Sequence, residues 1–193
     1  MSRLILVRHG QTDWNLKKRI LSWQNIPLNE EGLRQSRGAS QRLEKEIFSL
    51  IYSSELGRAI QTAEIIARDY GLDIIRDKRL NEMNQGDWDG LHDWEALEKY
   101  PIMYKQWLED PTKVVPPNGE SIKTLESRVE DFINMLETRH PAENVCVVTH
   151  EMVIGAFLCL VEGINFSLIR RLKTPNGQIR ILNISAKKVY EKT

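Results

Sequence analysis

Cysteine is scarce in this chain, two among 193 residues. Cys146 sits in the apolar run Val145-Cys146-Val147-Val148 and Cys159 in an apolar stretch at helical spacing. That excludes a disulfide framework and a thiolate metal site, and both read as reduced core residues. A charge excess is lacking too: Lys+Arg and Asp+Glu each total 27, for zero formal net charge. Nothing electrostatic therefore draws the chain to nucleic acid or to an anionic membrane. No apolar run reaches the length of a membrane span. Only four apolar residues separate Arg3 from Arg8, too few for a secretory signal. A reducing cytoplasm is the expected compartment. Internal repeats, low-complexity tracts and flexible linkers are missing as well. Residues 1–193 are therefore expected to form one domain.

What is present alternates between strand and helix patterns, which argues for an α/β three-layer sandwich. Its central sheet would be mostly parallel, with helices on both faces. Leu4 to Val7 reads as a buried strand, and Glu30 to Ile47 as a helix with Leu33, Leu43 and Ile47 inward. Leu50-Ile51-Tyr52 is a second strand, after which Ser54 is placed to cap a helix bearing Leu56, Ile60, Ala63 and Ala67. Asp73 to Ile75 suggests a third strand. From Glu120 to Arg139 an apolar face recurs at helical spacing through Ile122, Leu125, Val129, Phe132, Ile133 and Leu136. A buried helix over Met152 to Val161 and a strand over Ile179 to Ile184 complete the order. Residues 81–118 differ, with three of the five tryptophans and many acids. They read as an insertion over the sheet's carboxyl edge, serving as partial lid and substrate wall.

Two histidines stand where apolar strands run out, in Val7-Arg8-His9-Gly10 and Val148-Thr149-His150. Ligands bind at such strand ends in α/β sheets. Adjacent strands would therefore bring both rings into one pocket. Arg8 suggests that the pocket holds an anion. Gly10 is expected to allow close backbone approach to a ligand or a positive φ. Gly57-Arg58-Ala59 places an arginine in the first turn of a helix, at the positive end of its dipole, where a cation is misplaced unless an anion is bound there. In Leu80-Asn81-Glu82-Met83-Asn84-Gln85-Gly86-Asp87-Trp88-Asp89-Gly90, the glycines mark turns and Trp88 reads as an anchor. Glu82, if enclosed, would hold a proton near neutrality and act as a general acid. Asp87 and Asp89 are more naturally turn-capping residues. His92 and His140 lie in polar surroundings and read as surface residues.

Taken in order, these segments resemble the histidine phosphatase superfamily, the phosphoglycerate-mutase-like enzymes, from Arg3 to about Asn183. The shared signature is an R-H-G turn, an L-x-R-A-x-x-T-A helix start, an acid before G-x-W-x-G and a strand ending in histidine. The resemblance implies that His9 is a phosphorus-attacking nucleophile, giving a phosphohistidine. Its other ring nitrogen should be held as N–H, most simply by a backbone carbonyl. It further implies that Glu82 is the acid and base, and that Arg8, Asn15, Ser22, Arg58 and His150 contact the substrate. No metal or other cofactor is implied. One departure stands out: the residue after the second histidine is usually small in these enzymes, and here it is Glu151. A carboxylate there would repel a phosphate, pair with an arginine or point away at the helix N-terminus. If it enters the pocket, either the substrate carries a cation or one on the protein buffers it.

Mutases of this superfamily share an E-H-Y-G sequence at the acid and a longer, more basic insertion. Here the sequence is Glu82-Met83-Asn84-Gln85, which favours hydrolysis of a small phosphorylated metabolite over isomerisation. The stretch from Glu98 to Ser121 resembles small bacterial phosphatases, among them α-ribazole and metal-independent phosphoserine phosphatases. Trp88, Trp94, Tyr104 and Trp107 would either wall a substrate pocket or pack on the sheet. Glu151 and the acidic insertion tilt the expectation towards an amino-acid phosphate. A phosphoglycerate mutase and a non-catalytic phosphate binder are the alternatives, and a homodimer is left open.

Overall fold

The computed structural model describes residues 2–184. Five strands form one sheet: β1 (Ser2–Arg8), β2 (Leu50–Ser53), β3 (Ile74–Arg76), β4 (Val145–Thr149) and β5 (Ile179–Ile184). Their order is β3-β2-β4-β1-β5. All neighbours run parallel except β5, which pairs antiparallel with β1 at the edge. The helices are α1 (Asp13–Leu16), α2 (Glu30–Arg42), α3 (Gly57–Tyr70), α4 (Asp93–Lys99), α5 (Pro101–Glu109), α6 (Ile122–Arg139) and α7 (Glu151–Glu162).

Alternation along the central strands builds two separate cores, because successive side chains point to opposite faces. Leu4, Leu6, Val145 and Val147 pack on one face with Phe132 of α6 and Phe157 of α7. Ile5, Val7, Cys146 and Val148 pack on the other with Ala39 of α2 and Ala63 and Ile66 of α3. Every residue of β4 is buried, as a strand covered on both faces requires. Both cysteines are buried and free.

Several local expectations need correction. Helix α2 stops at Arg42, so Ile47 lies beyond it, 83% exposed, and Phe48 takes the buried place. Ser54 does not cap α3, whose N-cap is Leu56 with no side-chain cap bond. Gly10 is needed for a different reason from the one expected. Its φ is not positive, and a Cβ there would collide with the carbonyl of Gly32 at the start of α2. Close packing between two protein backbones is reason enough for the absent side chain.

Within residues 81–118, Trp88, Ala96, Tyr104, Trp107 and Val114 are buried in the α6–α7 core. Trp88 meets Tyr104 and Trp107 edge-on at 4.9 and 5.6 Å. Three of the four aromatics considered as a pocket wall are thus core residues. Trp94, 63% exposed, stacks on His92 instead. Gly86 and Gly90, at φ 52° and 89°, are the tight turns anticipated.

Candidate active site

Strands β1 and β4 are adjacent and parallel, with Arg8 opposite Thr149. The next residue on each is a histidine, so the rings of His9 and His150 emerge together at the carboxyl end, 5.0 Å between centroids. Both are buried. Nδ1 of His9 lies 2.6 Å from the Gly10 carbonyl. A carbonyl only accepts, so the hydrogen is on Nδ1 and the lone pair on Nε2. Burial, then the charges of Arg58 and Arg8, hold this ring well below the usual histidine range, against the pull of the Gly10 carbonyl. The imidazole is therefore neutral at physiological pH.

Arg58, in the first turn of α3, is completely buried. Its Nε donates towards His9 Nε2 at 3.3 Å. Its two terminal nitrogens donate to the carbonyls of Gln24 (3.0 Å) and Ser22 (2.7 Å). Burial lowers its pKa to about 10, with Glu82 and Asp89 pulling upward, so it stays charged at neutrality. Those carbonyls face Arg58 because of Asp89, a residue not singled out for the site from sequence. Its carboxylate accepts from the amides of Ser22, Trp23 and Gln24 at 2.8, 3.0 and 3.1 Å. The Trp23 indole then donates to the Glu82 carbonyl at 2.8 Å. One loop thereby positions both the cation and the acid. The Ser22 hydroxyl, fully buried, accepts from the Gln85 amide at 3.0 Å. In this structure Ser22 therefore stands behind Arg58 rather than open to solvent.

Glu82 is buried, its Oε1 accepting from the Met83 amide at 2.8 Å. Desolvation raises its pKa; the Met83 amide, Arg58 and Arg8 offset part of that, and Glu151 adds to it. Arg8 donates from one terminal nitrogen to the Thr174 carbonyl (2.7 Å) and pairs with Glu151 at 3.1 Å. Its buried Nε has no partner. Glu151, in the first turn of α7, also meets Lys173 at 3.4 Å. The cation that the sequence demanded for Glu151 is thus supplied by the protein.

Asn15 completes a capping box, its Oδ1 accepting from the amide and hydroxyl of Thr12. The Asn176 amide donates to the same oxygen at 3.3 Å and to the His9 carbonyl at 3.1 Å. Thr174 and Asn176 join the His9 turn through backbone oxygens, contacts that leave no pattern in sequence. His92 and His140 lie outside this cluster, His140 bonding Tyr52 and Glu143.

The model of the histidine phosphatase superfamily (branch 1) matches residues 4–192. The chain belongs to that superfamily. Together with the phosphatase-named relatives, membership makes it a phosphoric monoester hydrolase of the histidine phosphatase type. Phosphoserine phosphatase 1 of Hydrogenobacter thermophilus is 32% identical over 188 residues, covering 97% of this chain and 89% of the relative. A probable phosphoglycerate mutase, GpmB, of Cronobacter sakazakii is 32% identical over 179 residues, 93% of this chain and 83% of the relative. Among solved structures, the α-ribazole phosphatase from Shigella flexneri superposes with a TM-score of 0.86 at 28% identity. That match covers 95% of this chain and 91% of the other.

The two neutral, buried histidines make stability depend on pH. In the unfolded chain each titrates near about 6.5, whereas the fold refuses that proton. Below that pH the unfolded state binds more protons, so stability falls on acidification. Glu82 acts oppositely: its raised pKa keeps a proton in the fold that the unfolded chain has lost, so its contribution declines as pH rises. Urea unfolding should show a fall of about 1–3 kcal/mol on acidification from about pH 7.5 to about 5.5, steeper in Glu82→Gln. A midpoint flat over this range in both proteins refutes the assignment of neutral histidines.

Proposed function

We propose that this chain hydrolyses the monoester of a small phosphorylated metabolite by passing the phosphoryl group through His9, without a metal ion. The supporting observation is the His9 ring, pinned as Nδ1–H on the Gly10 carbonyl with Nε2 beside Arg58. Nε2 forms the bond to phosphorus as the ester P–O bond breaks. Glu82 gives its proton to the leaving oxygen. Water then attacks the phosphohistidine, its proton passing to Glu82, and orthophosphate leaves with Glu82 protonated again. Arg8, Arg58 and His150, with Asn15 contributing its amide nitrogen, neutralise the phosphoryl oxygens, whose charge is about −1.5 to −2 near neutrality. Fixed cations aimed at developing charge do here what Mg²⁺ does in many phosphoryl-transfer enzymes. Ser22 serves by orienting Arg58 through its carbonyl.

Phosphoserine heads the proposed substrates. The Glu151–Lys173 pair next to Arg8 offers adjacent charges of opposite sign, which suit the ammonium and carboxylate of an amino-acid phosphate. The H. thermophilus relative carries the name phosphoserine phosphatase, which agrees. A small metabolite, not a nucleic acid or a membrane, is the proposed partner, and the cytoplasm the proposed compartment. Residues 81–118 are proposed to wall the substrate through their exposed face.

Release of phosphate in EDTA from phosphoserine, phosphoglycerate, a nucleotide and an aryl phosphate tests this reading. Preference for phosphoserine supports it in full. Isomerisation of phosphoglycerate without release would make the protein a mutase, and inertness towards every ester would leave a phosphate binder. Glu151→Gly is expected to lower kcat/KM for phosphoserine about tenfold relative to the aryl ester, equivalent to about 1.4 kcal/mol. Its urea midpoint should stay near that of the unmodified protein. An equal change on all esters would remove Glu151 from substrate selection.

A further inference from the structure

Ser54 ends the β2 strand at a junction of hydrogen bonds that the proposed chemistry does not use. Its Oγ accepts from the Leu56 amide at 3.1 Å. It also lies 2.9 Å from Asn81 Oδ1 and 2.8 Å from His150 Nε2. The orientation of the Asn81 amide is set by two further contacts. Its oxygen accepts from the Glu55 amide at 2.8 Å and its nitrogen donates to the Glu55 carboxylate at 3.2 Å. An acceptor oxygen therefore faces Ser54. A hydroxyl has one proton, and both Asn81 and His150 are within reach of it.

If that proton goes to Asn81, the contact with His150 closes only when Nε2 carries the hydrogen. Nδ1 of His150 is then bare. It is buried and has no hydrogen-bond partner among the described residues, although a buried nitrogen without one is costly. A bare lone pair would also repel a phosphoryl oxygen. The missing partner and the missing proton have one remedy, an anion arriving with Nδ1 becoming protonated. The geometry points to Ser54, oriented by Asn81, as a positioning residue that holds His150 as its Nε2–H tautomer, so that phosphate binding protonates Nδ1 and makes the ring an imidazolium.

The proton balance is simple. Nε2–H stays on Ser54 throughout, and Nδ1 gains one proton, from a phosphate monoanion or from water through solvent. Charged and titratable groups face this ring from several elements: Arg58 of α3, Arg8 at the end of β1 and His9 just after it, and Arg128 of α6. Glu82 stands close by, its Oε2 3.5 Å from the Met152 amide at the start of α7. In the free protein burial first, and then the three arginines and His9, oppose a charged ring. The negative charge of the phosphate offsets the arginines and gives the ring a counter-charge. The inference rests on the same pocket as the hydrolase reading but not on turnover.

Nitrogen-15 NMR of the histidine rings in the full chain tests it, with inorganic phosphate as the probe at pH 7.5. Free protein should show His150 neutral with hydrogen on Nε2, and saturating phosphate should give a ring protonated on both nitrogens. Ser54→Ala should lose the single tautomer and lower kcat/KM on an aryl phosphate about tenfold to a hundredfold, the worth of one hydrogen bond to a charged group. Ser54→Thr, which keeps the hydroxyl, should restore both. Nδ1–H in the free protein overturns the proposal without any variant, as does a Ser54→Ala protein with unchanged tautomer and activity. A doubly protonated His150 in a protein inert to every ester would sink the hydrolase reading and leave Ser54 in its role.

Discussion

Replacement of His9 by alanine is expected to lower turnover of every phosphomonoester by at least about 10⁴-fold, because the nucleophile and the intermediate vanish together. Arg58, Arg8 and His150 remain, so phosphate binding should persist. Fold should persist as well, since His9 is neutral and its ring meets only the neighbouring Gly10 carbonyl and Arg58, which keeps its bonds to the Gln24 and Ser22 carbonyls. The decisive companion is chemical trapping of the unmodified enzyme. A phosphorylated nitrogen survives alkali and breaks down in acid, whereas a phosphoserine ester behaves oppositely. Label stable in alkali and absent from the His9→Ala protein is the expected outcome. Activity within tenfold of the unmodified enzyme would assign the attack to another group.

Glu82→Gln should separate esters by their leaving groups. For an alkyl phosphate such as phosphoserine, loss of the proton donor should cost about 10²–10⁴ in kcat/KM. An aryl phosphate leaves as a stable phenolate and needs little help, so its phosphorylation step should stay fast. In the proposed mechanism, hydrolysis of the intermediate also uses Glu82, as base. The aryl ester should therefore give a rapid burst of phenolate followed by slow turnover. Equal losses on both ester types, with no burst, would mean that Glu82 shapes the pocket without moving protons. The raised pKa that burial imposes on this carboxyl favours the protonated form that donation requires.

Much of this site is written in local patterns. An apolar run ending in histidine declares both a strand and what stands at its tip, which is why His9 and His150 could be paired before any coordinates. Arg58 was conspicuous because it sits at the wrong end of a helix dipole. Glu82 was legible from its apolar neighbour and the glycine turns that follow. What stayed hidden are contacts to backbone. The carbonyls of Ser22, Gln24 and Thr174 hold the two arginines, and a carbonyl is the same whichever residue bears it. Asp89 looked like an ordinary turn residue because its three partners are amides distant in sequence. The constraint on Gly10 is legible but not the Gly32 carbonyl that crowds it, because that carbonyl belongs to another element. Ile47 continued a helical spacing, but the helix had already ended.

The turn around His9 is closed from far along the chain. Asn176 binds the His9 carbonyl, Gly177 donates its amide to Arg8 and His9 carbonyls, and Thr174 holds the Arg8 guanidinium. Strand β5 follows directly and zips against β1. A chain still emerging from the ribosome can form most of the parallel sheet before these residues appear. It lacks the Thr174 contact to the Arg8 guanidinium and the Asn176 and Gly177 contacts to the His9 turn. The turn that carries the proposed nucleophile is thus closed only when β5 docks, and chains that stop short of it are expected to carry the proposed catalytic side chains on an unfinished scaffold.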